Sequence, residues 1–140
     1  MRILDATLRD GGLKNGFNWS LPYAQGHYEL AATSESISFI EIGYWSQKDK
    51  FDSPFYDMNS EFLGQITGQR SGKTAVMVDY HYATKDWSKY PDARLGSSPD
   101  LYRVTARDQD SSKAIVFAET LKRQTGSLVS VNFSNVSNVP

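Results

Sequence analysis

Arg9 and Asp10, followed by Gly11-Gly12, have the types and spacing for chemistry on an oxygen-bearing substrate. A carboxylate can hold a hard divalent cation through oxygen, and a guanidinium can hold a carboxylate or stabilise a developing oxyanion. The run Ile3 to Leu8, apolar except for Asp5 and Thr7, reads as a short strand. Arg9 and Asp10 then fall at its carboxyl end, and Gly11-Gly12 reads as a tight turn. In a parallel α/β sheet that end is where ligands bind. Later apolar runs also end in polar residues: Glu41, Tyr44 and Gln47; Asp79 and His81; Arg103, Thr105, Arg107 and Asp108; Asn132 and Asn135. Polar groups inside apolar strands are costly to bury unless partnered. The recurrence therefore means either a shared site or buried structural pairs, with Glu41 against Arg9 or Arg103 as the plainest such pair. Asp5 and His27 read as structural.

These residues need elements to position them. Leu13 to Ser20 reads as a loop, and Leu21 to Ile37 as a helix capped by Ser20 with Pro22 in its first turn. Ser38–Tyr44 is a β-branched and aromatic run, a strand buried on both faces. A polar and aromatic loop, Trp45 to Tyr56, follows; its Trp45, Phe51, Phe55 and Tyr56 could form a lid or pack on a helix. Asn59 to Gly68 reads as a short helix, Thr74–Tyr80 as a third strand, and His81 to Ser98 as an irregular connection. Leu101–Ala106 is a fourth strand and Leu128–Phe133 a fifth. Between them Ser112 to Gln124 is the clearest helix, with Ala114, Ile115, Phe117, Ala118 and Leu121 on one face and Gly126 at its end. Strand and helix alternate, which predicts an α/β protein of parallel β/α units with right-handed crossovers.

Composition narrows the function classes. The 140 residues carry a net charge of −1, which gives no argument for nucleic acid or an anionic membrane. There is no cysteine, so no disulfide, thiolate metal site or cysteine nucleophile. No basic-then-apolar leader and no run of ~18 apolar residues is present, and a cytoplasmic protein is expected. Residues 1–140 read as a single domain.

The stretch Leu4-Asp5-Ala6-Thr7-Leu8-Arg9-Asp10-Gly11-Gly12 closely resembles the D-x-T-L-R-D-G signature that opens the barrel of the HMG-CoA-lyase-like family, the DRE-TIM metallolyases, a pyruvate carboxyltransferase-like group. The continuation Gly11 to Trp19, a glycine pair followed by an Asn/aromatic segment, looks most like its "aldolase catalytic domain" branch. The resemblance implies a TIM (β/α)₈ barrel. Such a barrel needs ~200 to 250 residues, so this chain would hold only its first five strands, a partial barrel. It implies a carbon–carbon lyase, aldolase or Claisen-type synthase that works on an oxo-acid-like substrate through an enolate, with Mg²⁺ or Mn²⁺ as cofactor. In those terms Asp10 is a metal ligand and Arg9 the catalytic arginine, with Glu41 and His81 as further catalytic candidates. Arg103, Asn132 and Tyr44 are the substrate-binding candidates. Two departures stand out. The family's His-x-His metal ligands have no counterpart, and Leu13-Lys14-Asn15 occupies the place of a basic histidine. The alternative expectation is a catalytically incomplete partial barrel that acts as an assembly module, as a homo-oligomer or with a missing C-terminal half.

Overall fold

The computed structural model describes residues 2–45, 50–68, 72–95 and 98–134; Gln47 and Asn135 lie outside them. Five strands form one parallel sheet in sequential order: β1 (Leu4–Asp5), β2 (Phe39–Tyr44), β3 (Thr74–Asp79), β4 (Leu101–Arg107) and β5 (Leu128–Ser134). The sheet curls into half of a β/α barrel, with helices α1 (Thr7–Asn15), α2 (Leu21–Ala32), α3 (Ser60–Thr67) and α4 (Ser111–Thr125) along the connections. No helix among the described residues is long and apolar enough to cross a membrane.

The first correction concerns the signature. Residues 7–15 are helical, so Arg9 and Asp10 sit in the first turn of α1, and Gly11-Gly12 is helix interior rather than a turn. Asp5 explains the early start. Its Oδ1 accepts the Thr7 N–H at 2.9 Å and turns the chain out of β1 after two residues. The glycines serve close packing: a Cβ on Gly12 would lie 2.2 Å from the Phe17 ring, and one on Gly11 3.1 Å from the Trp19 ring. Trp19 also donates from Nε1 to the Leu8 carbonyl at 2.9 Å, which pins α1 from outside.

Other boundaries follow local chemistry. Ser20 caps α2 by accepting from the Tyr23 N–H, with Pro at its start, but α2 stops at Ala32 instead of Ile37. Lys73 there donates to the carbonyls of Ala32 and Ser34 at 3.0 and 2.9 Å, closing the helix end. Asn59 caps α3 through the Phe62 N–H at 2.8 Å. The β3–β4 connection is irregular as expected, with two short 3₁₀ turns.

Burial separates the two faces of the sheet. Ile40, Ile42, Val76, Val78, Tyr102 and Val104 are fully buried against the helices. They meet Ala24 and Tyr28 of α2, Leu63 and Ile66 of α3, and Ala114, Phe117 and Leu121 of α4. Ile115 departs from the expected stripe and is exposed. The alternate residues of β3 to β5 line the concave face, where Met77 pairs in register with Arg103, Arg103 with Ser130, and Thr105 with Asn132.

β2 breaks this alternation once. Glu41 lies opposite Ala75 and Tyr44 opposite Met77, so three steps on β2 match two on β3. The extra residue turns Tyr44 onto the face that carries Glu41. Tyr44 then bonds outside the ladder, its N–H to the Phe55 carbonyl and its carbonyl to the Met58 N–H, both at 2.9 Å. Gly43 makes this possible, since a Cβ there would fall 2.1 Å from the Phe55 carbonyl oxygen.

Two predictions follow. Gly43→Ala should lower the stability of the chain by about 3 kcal/mol, read from urea unfolding, because backbone must shift to admit one methyl. The second concerns Asp5, whose carboxylate also meets His27 Nε2 at 3.1 Å. Burial would raise the Asp5 pKa, but the Thr7 N–H and His27 outweigh it and hold it below the usual carboxylate range. The unfolded chain thus binds this proton more readily. Its contribution is complete above pH ~4 and is lost as pH falls through the folded value. The stability gap between wild type and Asp5→Asn should shrink below pH ~4; a gap that widens there would contradict the assignment.

Candidate functional site

The concave face holds one charged cluster, built from three separate elements. Glu41 of β2 is fully buried, and its Oε1 accepts from Arg9 Nε of α1 at 2.6 Å. Arg103 of β4 donates from Nε to Oε2 at 2.7 Å and from Nη2 to Oε1 at 2.9 Å, a bidentate pair. The side chains of Arg9 and Arg103 remain 14% and 19% exposed. Within the cluster two cations surround one anion, and the Asp79 carboxylate at the end of β3 lies close enough to act on the Tyr44 phenol.

The local sequence explains how they meet. Glu41 and Arg103 are separated by β3, and the residue of β3 opposite Glu41 is Ala75, small enough for Arg103 to reach across. Arg9 comes from the opposite side, because α1 starts immediately after a two-residue β1. The bulge brings in Tyr44, buried, whose hydroxyl interacts with the Arg9 guanidinium. Burial pushes the Tyr44 phenol up, with Arg9 opposing that shift, so it stays protonated at neutral pH and can donate. Burial would lower the Arg9 guanidinium, but the bond to Glu41 and its charge hold it above the ordinary value.

The structure thus brings together Arg9, Glu41, Arg103 and Tyr44 of the sequence candidates. Asp10 is next to them but turned outward, 69% exposed, with its Oδ1 3.4 Å from Arg9 Nη1. Asn132 is exposed on the concave side of β5, in register with Thr105. His81 is exposed just past β3, its ring against Tyr82 with centroids 4.7 Å apart. Among the described residues no hydrogen bond joins it to the arginine cluster. Trp45, Phe55 and Tyr56 are buried core, and Phe51 packs edge-on against Phe17 and Tyr56, so packing and not a lid accounts for them.

Among the described residues no group of three or more His, Asp or Glu side chains could hold a metal ion. Asp10 supplies a single carboxylate, whereas Mg²⁺ or Mn²⁺ takes about six oxygen or nitrogen donors. The donors present therefore do not fit a resident divalent cation on their own.

Sequence reasoning missed two contributors. Ser130 flanks Arg103 on the concave face, and period-two counting along β5 could have found it. Trp19, which positions α1, had as its only signal the aromatic residue soon after the glycine pair.

Half of a β/α barrel with two arginines on one buried carboxylate at its concave face is the class that this geometry defines. A solved structure has the same fold: "the N-terminal domain of a putative aldolase from Bacteroides vulgatus" matches with a TM-score of 0.78 and 24% sequence identity. The match covers 98% of this chain and 46% of that chain, so this chain spans about half its length. No family model and no curated protein matches the sequence.

Removing the central anion tests the cluster. Glu41→Gln should cost about 3 kcal/mol in urea unfolding, the low end for breaking a buried ion pair because both arginines reach solvent. A loss below about 1 kcal/mol, the level of a surface pair, would mean that the cluster is not a buried unit.

Proposed function

We propose that this chain provides the anion-binding part of a carbon–carbon lyase of the aldolase type, acting on an oxo-acid-like substrate through an enolate. The observation that carries this reading is the pair of arginines held on one buried carboxylate on the concave face. The aldolase-like fold and the Leu4–Gly12 signature support it.

In a retro-aldol cleavage the hydroxyl proton leaves to a base and that carbon becomes a carbonyl. The carbon–carbon bonding pair moves into the 2-oxo group, which becomes an enolate. Arg9 faces the oxygen where this charge develops, and Arg103 holds the substrate carboxylate. Tyr44, protonated, adds a hydrogen-bond donor. Both Glu41 oxygens are committed to guanidinium groups, so Glu41 acts as a positioning residue that fixes the two arginines. The acid–base role then falls to an exposed group on the rim, of which His81 is the candidate, and Asn132 is placed to orient the far end of the substrate. A divalent cation, as the signature resemblance implies, would use Asp10 and require further donors from outside the described residues.

A second reading has its own observation. Leu128 on the concave side of β5 is 51% exposed and Phe133 41%, along a strand with no outer partner among the described residues. Such an edge invites association. In this reading the chain acts as an assembly module, completed by another copy or by a second half-barrel.

Oxalate, a flat dianion shaped like the enolate of a 2-oxo acid, separates the two. Calorimetry should give saturable oxalate binding with a dissociation constant near or below about 1 mM, weakened about tenfold or more by Arg103→Gln and by Arg9→Gln. Binding that neither substitution weakens, or no saturation alongside a stable dimer, would overturn the lyase reading in favour of assembly.

A further inference from the structure

A second cavity lies on the other side of the sheet, away from the arginine cluster. It has a volume of about 410 Å³ and is walled by Tyr80 after β3, Trp87 of the β3–β4 connection, and Val116 and Phe117 of α4. The aromatic walls support one another. Tyr80 meets Phe117 edge-on with centroids 5.5 Å apart, and Trp87 lies 5.2 Å from Phe117 at 36°. Val116 is 62% exposed at its edge. The β3–β4 connection, which contributes Lys85 and Trp87 to the wall, holds two short 3₁₀ turns.

Two lysines, Lys85 and Lys113, also line it, and neither makes an ion pair among the described residues. The Lys85 ammonium sits 6.0 Å from the Tyr80 ring centroid. Asp86, next to Lys85 in the chain, keeps its charge and accepts from the Ser88 N–H and hydroxyl at 3.2 and 2.6 Å, and neither it nor Asp108 or Asp110 lines the cavity. A cleft of this size is in the range of small-molecule sites, which are mostly apolar with a few convergent polar groups.

We propose that this cleft is a binding site for a small aromatic carboxylate, its ring resting against Trp87 and Val116 over Phe117 and its carboxylate toward Lys85 and Lys113. The aromatic walls select a flat apolar body, and the two unpaired ammonium groups select a negative head over a neutral or positive one. The site is independent of the lyase reading, since none of its residues belongs to the arginine cluster.

The test is a titration of the 140-residue chain with 1-naphthylacetate, 1-naphthaleneethanol and 1-naphthaleneethylamine, followed by calorimetry and by the NMR signal of the Trp87 indole N–H. The acetate should saturate one site and bind about tenfold more tightly than the alcohol, with the amine weakest. Lys113→Glu and Val116→Glu, both at solvent-facing positions, should each weaken the acetate about tenfold without moving the unfolding midpoint. Equal binding of all three compounds, no saturation by about 5 mM, or indifference to Val116→Glu would overturn the proposal. So would a dimer that Val116→Glu converts to monomer, since a second copy would then be the occupant.

Discussion

A fully buried carboxylate is the constraint on which the concave side of this protein depends. Taking Glu41 out of water costs several kcal/mol, and its mutual attraction with neighbours offsets this only if the geometry is good. Here three charge-assisted hydrogen bonds, at 2.6, 2.7 and 2.9 Å, come from two guanidinium groups. The arrangement joins α1, β2 and β4 across an intervening strand. It works because Ala75 leaves room on β3, and because the two-residue β1 puts the first turn of α1 beside β2. Lengthening β1 by a turn of strand would carry Arg9 out of reach. The early start of α1, governed by Asp5, is thus a condition for the cluster as well as a detail of local structure.

Stability and recognition fall on opposite faces of the same strands. The outward-facing residues of β2, β3 and β4 are apolar and fully buried under the helices, which provides a core without help from the concave side. The concave residues are therefore free to be polar. Arg103, Ser130, Thr105 and Asn132 form a connected polar surface next to the ion cluster. The bulge in β2 is the one place where an outward position is exchanged for an inward one, and the residue it delivers is Tyr44. Bulges are common beside functional sites because they re-aim a side chain at modest cost.

Much of this was legible in the sequence, and the failures have identifiable causes. The second to fifth strands, the irregular β3–β4 connection and the helix from about Ser112 to Gln124 follow from periodicity and from turn residues, and they stand within a residue or two. The pairing of Glu41 with Arg9 or Arg103 followed from the cost of an acid inside an apolar strand, although that reasoning expected one partner where there are two. The signature was misread locally. Alternation from Ile3 to Leu8 suggests a strand, and a glycine pair suggests a turn, but a side-chain bond from Asp5 and the demand for ring packing at Gly11 and Gly12 favour a helix. Neither is visible without knowing that Phe17 and Trp19 fold back. Ile115 was placed on the buried face because it is apolar, yet the buried positions run Ala114, Phe117, Ala118, Leu121 and Thr125, a stripe that excludes it.

The helical start of the signature also changes what Arg9 and Asp10 can do together. Neighbours in a helix point about 100° apart, so the two cannot both face the same point as they would at the end of a strand. Arg9 turns inward to Glu41, and Asp10 remains largely in solvent, with Arg9 Nη1 at 3.4 Å. Arg9, Arg103, Glu41 and Asp10 sum to zero charge. A divalent cation placed beside Asp10 would face two guanidinium groups that already share one carboxylate, a repulsion that the water around exposed Asp10 reduces but does not remove. Further anionic or imidazole donors would have to approach from the open side of the half-barrel to balance it. The N–H groups of Arg9 and Arg103 that Glu41 does not use are donors only, so the cluster by itself suits an oxygen-rich group more than a cation.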